Sequence, residues 1–144
     1  MRISDVLRVK GDRVITVPPD TRIRELVAVL AQHRIGAVVV SSDGRTVSGI
    51  VSERDVVRAL SERGAEVLAE PVTSIHTVEV HVVGPDSHVE EMMRLMTDRR
   101  IRHVPVVADG VLCGLVSIGD VVKNRIDELE TERTALTNYI SGGR

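Results

Sequence analysis

Apolar positions along this chain switch between a spacing of three to four and unbroken runs, and the switches mark out alternating helices and strands. Ile23, Leu26, Val27 and Leu30 stand at i, i+3, i+4 and i+7, the spacing of one buried helix face. Val38-Val39-Val40 is a short β-branched run, too short for a helix and suited to a strand buried on both faces. A strand is also predicted over 14–17, and Gly49-Ile50-Val51-Ser52 reads as a strand that turns into a helix.

The pattern then repeats. Pro19-Asp20-Thr21 returns as Pro85-Asp86-Ser87 at a shift of 66, followed by Val89, Met92, Met93 and Met96 in the places of the first helical stripe. The match runs on through Arg34-Ile35 and Arg100-Ile101, and through Val38-Val39-Val40 and Val104-Pro105-Val106. Asp43-Gly44 and Asp109-Gly110 sit between β-branched runs and predict tight hairpins. One residue is lost there, so Gly49-Ile50-Val51-Ser52-Glu53-Arg54-Asp55 aligns with Gly114-Leu115-Val116-Ser117-Ile118-Gly119-Asp120 at a shift of 65.

Each copy therefore reads strand (14–17 or 78–83), helix, strand, turn, strand, helix, an α/β (α+β) unit. A unit of roughly 60 residues buries too little surface to be stable alone, so the two copies are expected to pack through their sheets as a pseudo-symmetric pair. The division is a first repeat with its N-terminal segment over 1–66, a linker over 67–77, a second repeat over 78–126, and a C-terminal helix and tail over 127–144. Ala and Glu at the start of the linker region allow helical turns there. Val122, Ile126, Leu129, Leu136 and Ile140 continue a coiled-coil-like stripe beyond the second repeat, with Arg133 in the one polar slot. Such a stripe either lies back on its own domain or meets a second copy; the dimer contact is preferred.

Composition narrows the function. The core is aliphatic, because the sequence holds no Phe, no Trp and one Tyr, Tyr139. A formal charge of −2, with cations scattered among acids, supplies no basic field for a nucleic-acid backbone. The N-terminus lacks a signal-peptide pattern and no run of about 18 apolar residues offers a membrane span, so a reducing cytoplasm is expected. Cys113, alone in an apolar run, reads as a small core residue.

The chemistry lies in the two Ser-x-x-Asp sequences, Ser52 with Asp55 and Ser117 with Asp120. A strand ending in Ser and passing into a helix brings backbone N–H groups and a positive dipole end to one place, which suits an anion. An Asp one turn on can accept two hydrogen bonds from vicinal hydroxyls, as in a ribose. The same spacing is also a capping box that stabilises the helix start, and the two uses share one geometry.

The duplication together with both Gly-h-h-Ser-x-x-Asp endings, where h is apolar, resembles the CBS domain pair, or Bateman module, from about Val9 to Lys123. The resemblance implies a small stand-alone regulatory protein with clefts between the repeats that take an adenine nucleotide: AMP, ADP, ATP or NAD(H). It implies that Ser52 and Ser117 meet phosphate or ribose and that Asp55 and Asp120 take ribose hydroxyls. Cleft walls are expected around Thr16, Val17, Ala37, Val38, Val83 and Val104, with Arg102 and His103 of the second repeat completing the site of Ser52 and Asp55. Without large aromatics, an adenine ring would lie between aliphatic side chains. The family also commonly forms disc-like dimers, which agrees with the C-terminal stripe.

Enzymatic chemistry is not expected. No glycine-rich phosphate loop, nucleophile elbow or paired catalytic carboxylates occur, and His33, His76, His81, His88 and His103 lack metal-ligand spacing apart from a loose His76, His81 and His88 cluster, for which a structural or surface role is preferred over a metal site. The reading is a nucleotide sensor, with no catalytic cofactor, that signals through a homodimer to a regulated protein. The alternative is a ligand-independent interaction scaffold.

Overall fold

The structure, a computed structural model, describes residues 1–11 and 14–142. Helix α1 (Ile3–Lys10) leads into β1 (Thr16–Val17), α2 (Ile23–His33), β2 (Ala37–Val40), β3 (Gly49–Ser52) and α3 (Glu53–Arg63). Two 3-10 turns, Ala65–Ala69 and Val72–Ser74, precede α4 (Val89–Arg99), β4 (His103–Ala108), β5 (Val111–Ser117) and α5 (Ile118–Gly142). The helical stripes fall where the spacing placed them: α2 buries Ile23, Leu26 and Leu30, and α4 buries Val89, Met92 and Met96. Both helices stop on an arginine in the left-handed region, Arg34 and Arg100, each with φ 53°. Ile35 N–H then reaches Leu30 O and Ile101 N–H reaches Met96 O, both at 3.1 Å, closing the same Schellman-type end in each repeat.

In the first sheet β1 pairs parallel with β2, and β2 antiparallel with β3; in the second, β4 pairs antiparallel with β5. The turn at Asp109-Gly110 is the tight one expected, with φ 51° and 77° at its two residues, the type I′ geometry that matches strand twist. Asp43-Gly44 is not a tight hairpin. It lies in a loop over 41–48, where the Asp43 carboxylate accepts from the amides of Thr46 and Arg45, both at 2.8 Å, and from the Ser41 and Thr46 hydroxyls. Those bonds, led by the Thr46 and Arg45 amides, hold its carboxyl well below the usual carboxylate range.

The strand expected over 78–83 is also corrected. Only Val83 survives as an isolated parallel bridge to Val106, with Val107 N–H bonded to Val83 O at 2.9 Å. These are the equivalents of Val17 beside Val40 and of the Ser41 N–H bond to Val17 O at 2.9 Å. Val78 and Val82, 68% and 46% exposed, lie outside any described strand.

A larger difference concerns the chain ends of the repeats. The N-terminal segment, grouped with the first repeat on sequence, packs into the second: Ile3, Val6 and Leu7 share a core with Val89, Met92, Met96, Val104, Val106, Val116 and Val121. The segment read as a linker puts Val67 and Val72 into the first core, beside Val17, Ile23, Leu26 and Val38. The backbone repeats the exchange: Val72 N–H bonds Thr21 O and Ile3 N–H bonds Ser87 O, both at 2.8 Å. Neither core closes on its own contiguous repeat. Each takes apolar residues from the segment preceding the other, because strand, helix and sheet leave one face of α2 and α4 uncovered.

Between the repeats, β2 is buried at every position. Val38 and Val40 face the first core, while Ala37 and Val39 alternate to the opposite face and are also buried, at 1% and 0% exposure. Thr77 exchanges two backbone bonds with Ile50, at 3.0 and 2.8 Å, and Leu112 N–H bonds Arg45 O at 2.7 Å.

Candidate functional site

Both Ser-x-x-Asp sequences are formed capping boxes. At the start of α3, Asp55 N–H donates to Ser52 Oγ at 3.3 Å, while the amide and hydroxyl of Ser52 donate to Asp55 Oδ2 at 2.8 and 3.0 Å. At the start of α5, Asp120 N–H donates to Ser117 Oγ at 3.2 Å and Ser117 N–H to Asp120 Oδ2 at 2.9 Å. The first helical amides are also engaged: Glu53 N–H bonds Gly36 O at 2.9 Å and Ile118 N–H bonds Arg102 O at 2.8 Å. The helix starts therefore hold fewer free N–H groups than a strand-to-helix turn suggests, and an anion here depends on side-chain cations.

Those cations are present in one place. A cavity of about 510 Å³ between the repeats is bordered by Ser52 and Asp55 on one side and by Arg102, His103 and Ser117 on the other. Arg54, Arg58 and Arg100 line it too. Among the described residues none of these four arginines lies within 4.0 Å of a carboxylate in an ion pair. Ile50, Val80, Ile101 and Ile118 supply apolar wall, so the cavity combines aliphatic surface, a carboxylate and unpaired guanidinium groups. A volume in the range of roughly 300–1,000 Å³ suits a small-molecule ligand.

A second cavity, about 380 Å³, lies on the other side of His103 and is lined by Lys10, Val14, Ile15, Arg34, Gly36, Ala37, Ser117 and Asp120, among others. The His103 ring lies so near Gly36 that a Cβ there would stand 3.4 Å from it. Burial first, then the Lys10 ammonium, lowers the His103 pKa against the opposing pull of Asp120 and Glu53, so at neutral pH the ring is an uncharged donor and acceptor.

The two carboxylates are not equivalent. Lys10, the last residue of α1, donates to Asp120 Oδ2 at 2.6 Å and to Leu115 O at 2.5 Å. Burial alone would raise the Asp120 carboxyl, but the Lys10 hydrogen bond and the Ser117 amide outweigh it and hold the pKa below its ordinary value. Asp55 has no such partner among the described ion pairs.

Of the residues expected at the cleft, Ser52, Asp55, Ala37, Arg102, His103, Ser117 and Asp120 border one or both cavities. Val17, Val38 and Val104 do not: they are core residues at 4%, 0% and 0% exposure. Val83 packs against the second core, and Thr16 pairs with Val39 in the first sheet, away from both cavities. For Val17, Val38 and Val104 the reason is strand alternation, since every second residue of a strand points into its own core. Sequence reasoning missed Arg54, Arg58 and Lys10. Arg54 and Arg58, four apart in the helix that carries Asp55, were a readable signal; Lys10 was not, because its place depends on the exchanged N-terminal helix.

The remaining candidates are dispersed. His81 reaches the larger cavity, His76 lies against Gly49, and His88 precedes α4. Cys113 is half-buried, donates to Val106 O at 3.3 Å, and burial pushes its thiol up. No helix among the described residues is long and apolar enough to cross a membrane.

Known proteins bear on this geometry. The sequence model described as CBS domain matches residues 3–62 and 72–127, the two repeats. The chain is 38% identical over 149 residues to the mitochondrial CBS domain-containing protein CBSX3 of Arabidopsis thaliana, covering 98% of this chain and 72% of that protein. It is 44% identical to the CBS-domain protein ATU1752 of Agrobacterium tumefaciens, with a TM-score of 0.84 over 87% of this chain and 99% of that one. The CBS domain protein PAE2072 of Pyrobaculum aerophilum, solved with AMP, superposes with a TM-score of 0.75 at 31% identity over 83% of this chain and 89% of that one.

Proposed function

The chain belongs to the CBS-domain family, and on that premise we propose that it is a regulatory module, without catalytic activity of its own, that binds an anionic adenine nucleotide between its repeats. The observation that carries this reading is the larger cavity, where Ser52 and Asp55 of one repeat face Arg102 and His103 of the other across about 510 Å³. Asp55 Oδ2 already accepts from Ser52, and the carboxylate's other oxygen remains for ribose hydroxyls. Arg54, Arg58, Arg100 and Arg102 are the phosphate donors, since guanidinium forks fit phosphate oxygens and here have no carboxylate to release. Ile50, Val80, Ile101 and Ile118 provide the apolar surface for the base. The AMP held by the Pyrobaculum relative supports the ligand class.

Binding across two repeats ties their relative position to the ligand, and a homodimer in the cytoplasm relays that change to a regulated protein. The dimer contact is the apolar stripe of α5. Among the described residues of this helix only Val121 is buried, in the second core, whereas Val122, Ile126, Leu129, Leu136 and Ile140 are 46–71% exposed, a stripe that its own domain leaves uncovered. The same stripe favours a second reading, an interaction scaffold that needs no ligand.

A thermal-shift series with AMP, ADP, ATP, NAD and NADH separates the two. At a ligand concentration of about 100 Kd, linkage adds about 2.7 kcal/mol and raises the midpoint by several degrees. Asp55→Ala abolishes the rise, and Arg102→Ala weakens binding and flattens its dependence on salt. No rise with any of the five nucleotides refutes the sensor and leaves the scaffold.

A further inference from the structure

Asp55 and Asp120 stand at matching positions of the two repeats, each closing a capping box, yet their surroundings differ. Beside Asp55, the Ser52 hydroxyl donates to Oδ2 at 3.0 Å; beside Asp120, the corresponding donor is the Lys10 ammonium at 2.6 Å. Lys10 is fixed from behind. Ile3, Val6 and Leu7 of α1 are buried in the second core, and Lys10 also holds Leu115 O at 2.5 Å.

We infer that Lys10 determines where nucleotide binds: it keeps the Ser117 and Asp120 cleft closed to simple adenine nucleotides, so each chain takes one nucleotide, in the Ser52 and Asp55 cleft. The inference rests on the nucleotide reading above and adds the occupancy of the two clefts. A ribose entering at Asp120 offers neutral hydroxyl donors in place of an ammonium, so a bond charged on both sides gives way to bonds charged only on the carboxylate. It must also leave Lys10 and Leu115 O to find other partners. No such exchange is needed at Asp55, where among the described residues four unpaired arginines await phosphate. The smaller volume, about 380 against 510 Å³, acts in the same direction.

The test is isothermal titration with AMP and with ATP, on the full chain and on Lys10→Met, which keeps an apolar stem of similar length. One site per chain is expected in the original protein and two in Lys10→Met, the added site vanishing in Lys10→Met with Asp120→Ala. Two sites in the original protein, or one in a Lys10→Met protein of unchanged thermal midpoint, overturn the inference. Should Lys10→Met fail to fold, Lys10→Gln takes its place with the same two outcomes. A second arm needs no nucleotide: the Asp120 carboxyl carbon, followed by NMR, titrates at higher pH once Lys10 is replaced. An unchanged Asp120 midpoint overturns the inference on its own. Absence of binding to every protein, with the Asp120 midpoint still raised, instead refutes the nucleotide reading and, with it, the occupancy drawn from it.

Discussion

Gly114 in β5 is the point at which the exchanged helix α1 meets the second sheet, and replacing it tests the exchange directly. A Cβ at this position would stand 2.5 Å from Leu7 Cδ2 and 2.9 Å from Cδ1, distances at which something must move. Leu7 is 9% exposed within the second core, so it has little room to turn away. Overpacking of this kind costs about 1–3 kcal/mol, and at about 2–4 °C per kcal/mol for a chain of this size Gly114→Ala lowers the thermal midpoint by about 2–12 °C. The cycle partner is Leu7→Ala, which by itself costs about 2–5 kcal/mol through the cavity it leaves. In the double variant the new methyl group enters that cavity, so the combined loss falls short of the sum of the singles by about 1 kcal/mol or more. The assay is calorimetric or circular-dichroism melting of the four proteins under one condition. Losses that add to within about 0.5 kcal/mol refute the contact and, with it, the placement of α1 on the second repeat. Because Lys10 rides on α1, Gly114→Ala should also loosen the hold on Asp120.

Two further outcomes are expected. Asp43 and Asp120 have folded pKa values below their unfolded ones, so each contributes stability that is present above the unfolded value near pH 4 and is lost as pH falls through the folded value. Acid melting curves should therefore lose part of their pH dependence below about pH 4 in Asp43→Asn and, separately, in Asp120→Asn; unchanged slopes in both would refute the assignment. For α5, Leu129→Lys together with Leu136→Lys places charges in the exposed stripe, and sedimentation should show a shift from dimer to monomer while the circular-dichroism spectrum of the folded chain is kept; an unaltered mass places self-association elsewhere.

The sequence by itself determined the repeated αβ unit, because side-chain periodicity is local: the stripes of α2 and α4, the β2 and β4 runs, and the two capping boxes each need only neighbouring residues to be specified. It also pointed, through the family pattern and the duplication, to Ser52, Asp55, Arg102 and His103, which border the larger cavity. Tertiary structure decided the rest. Asp43-Gly44 and Asp109-Gly110 share a dipeptide, yet only the second closes a tight turn, because the side-chain bonds of Asp43 organise a longer loop. The valines expected at the cleft went to the cores, since a strand can give each face only alternate residues and the register against the other repeat is not written locally. The placement of Ile3–Lys10 on the second repeat, and so of Lys10 on Asp120, is a contact across more than a hundred residues. No spacing in the chain encodes it, because it follows from which apolar face is left uncovered once both repeats have folded.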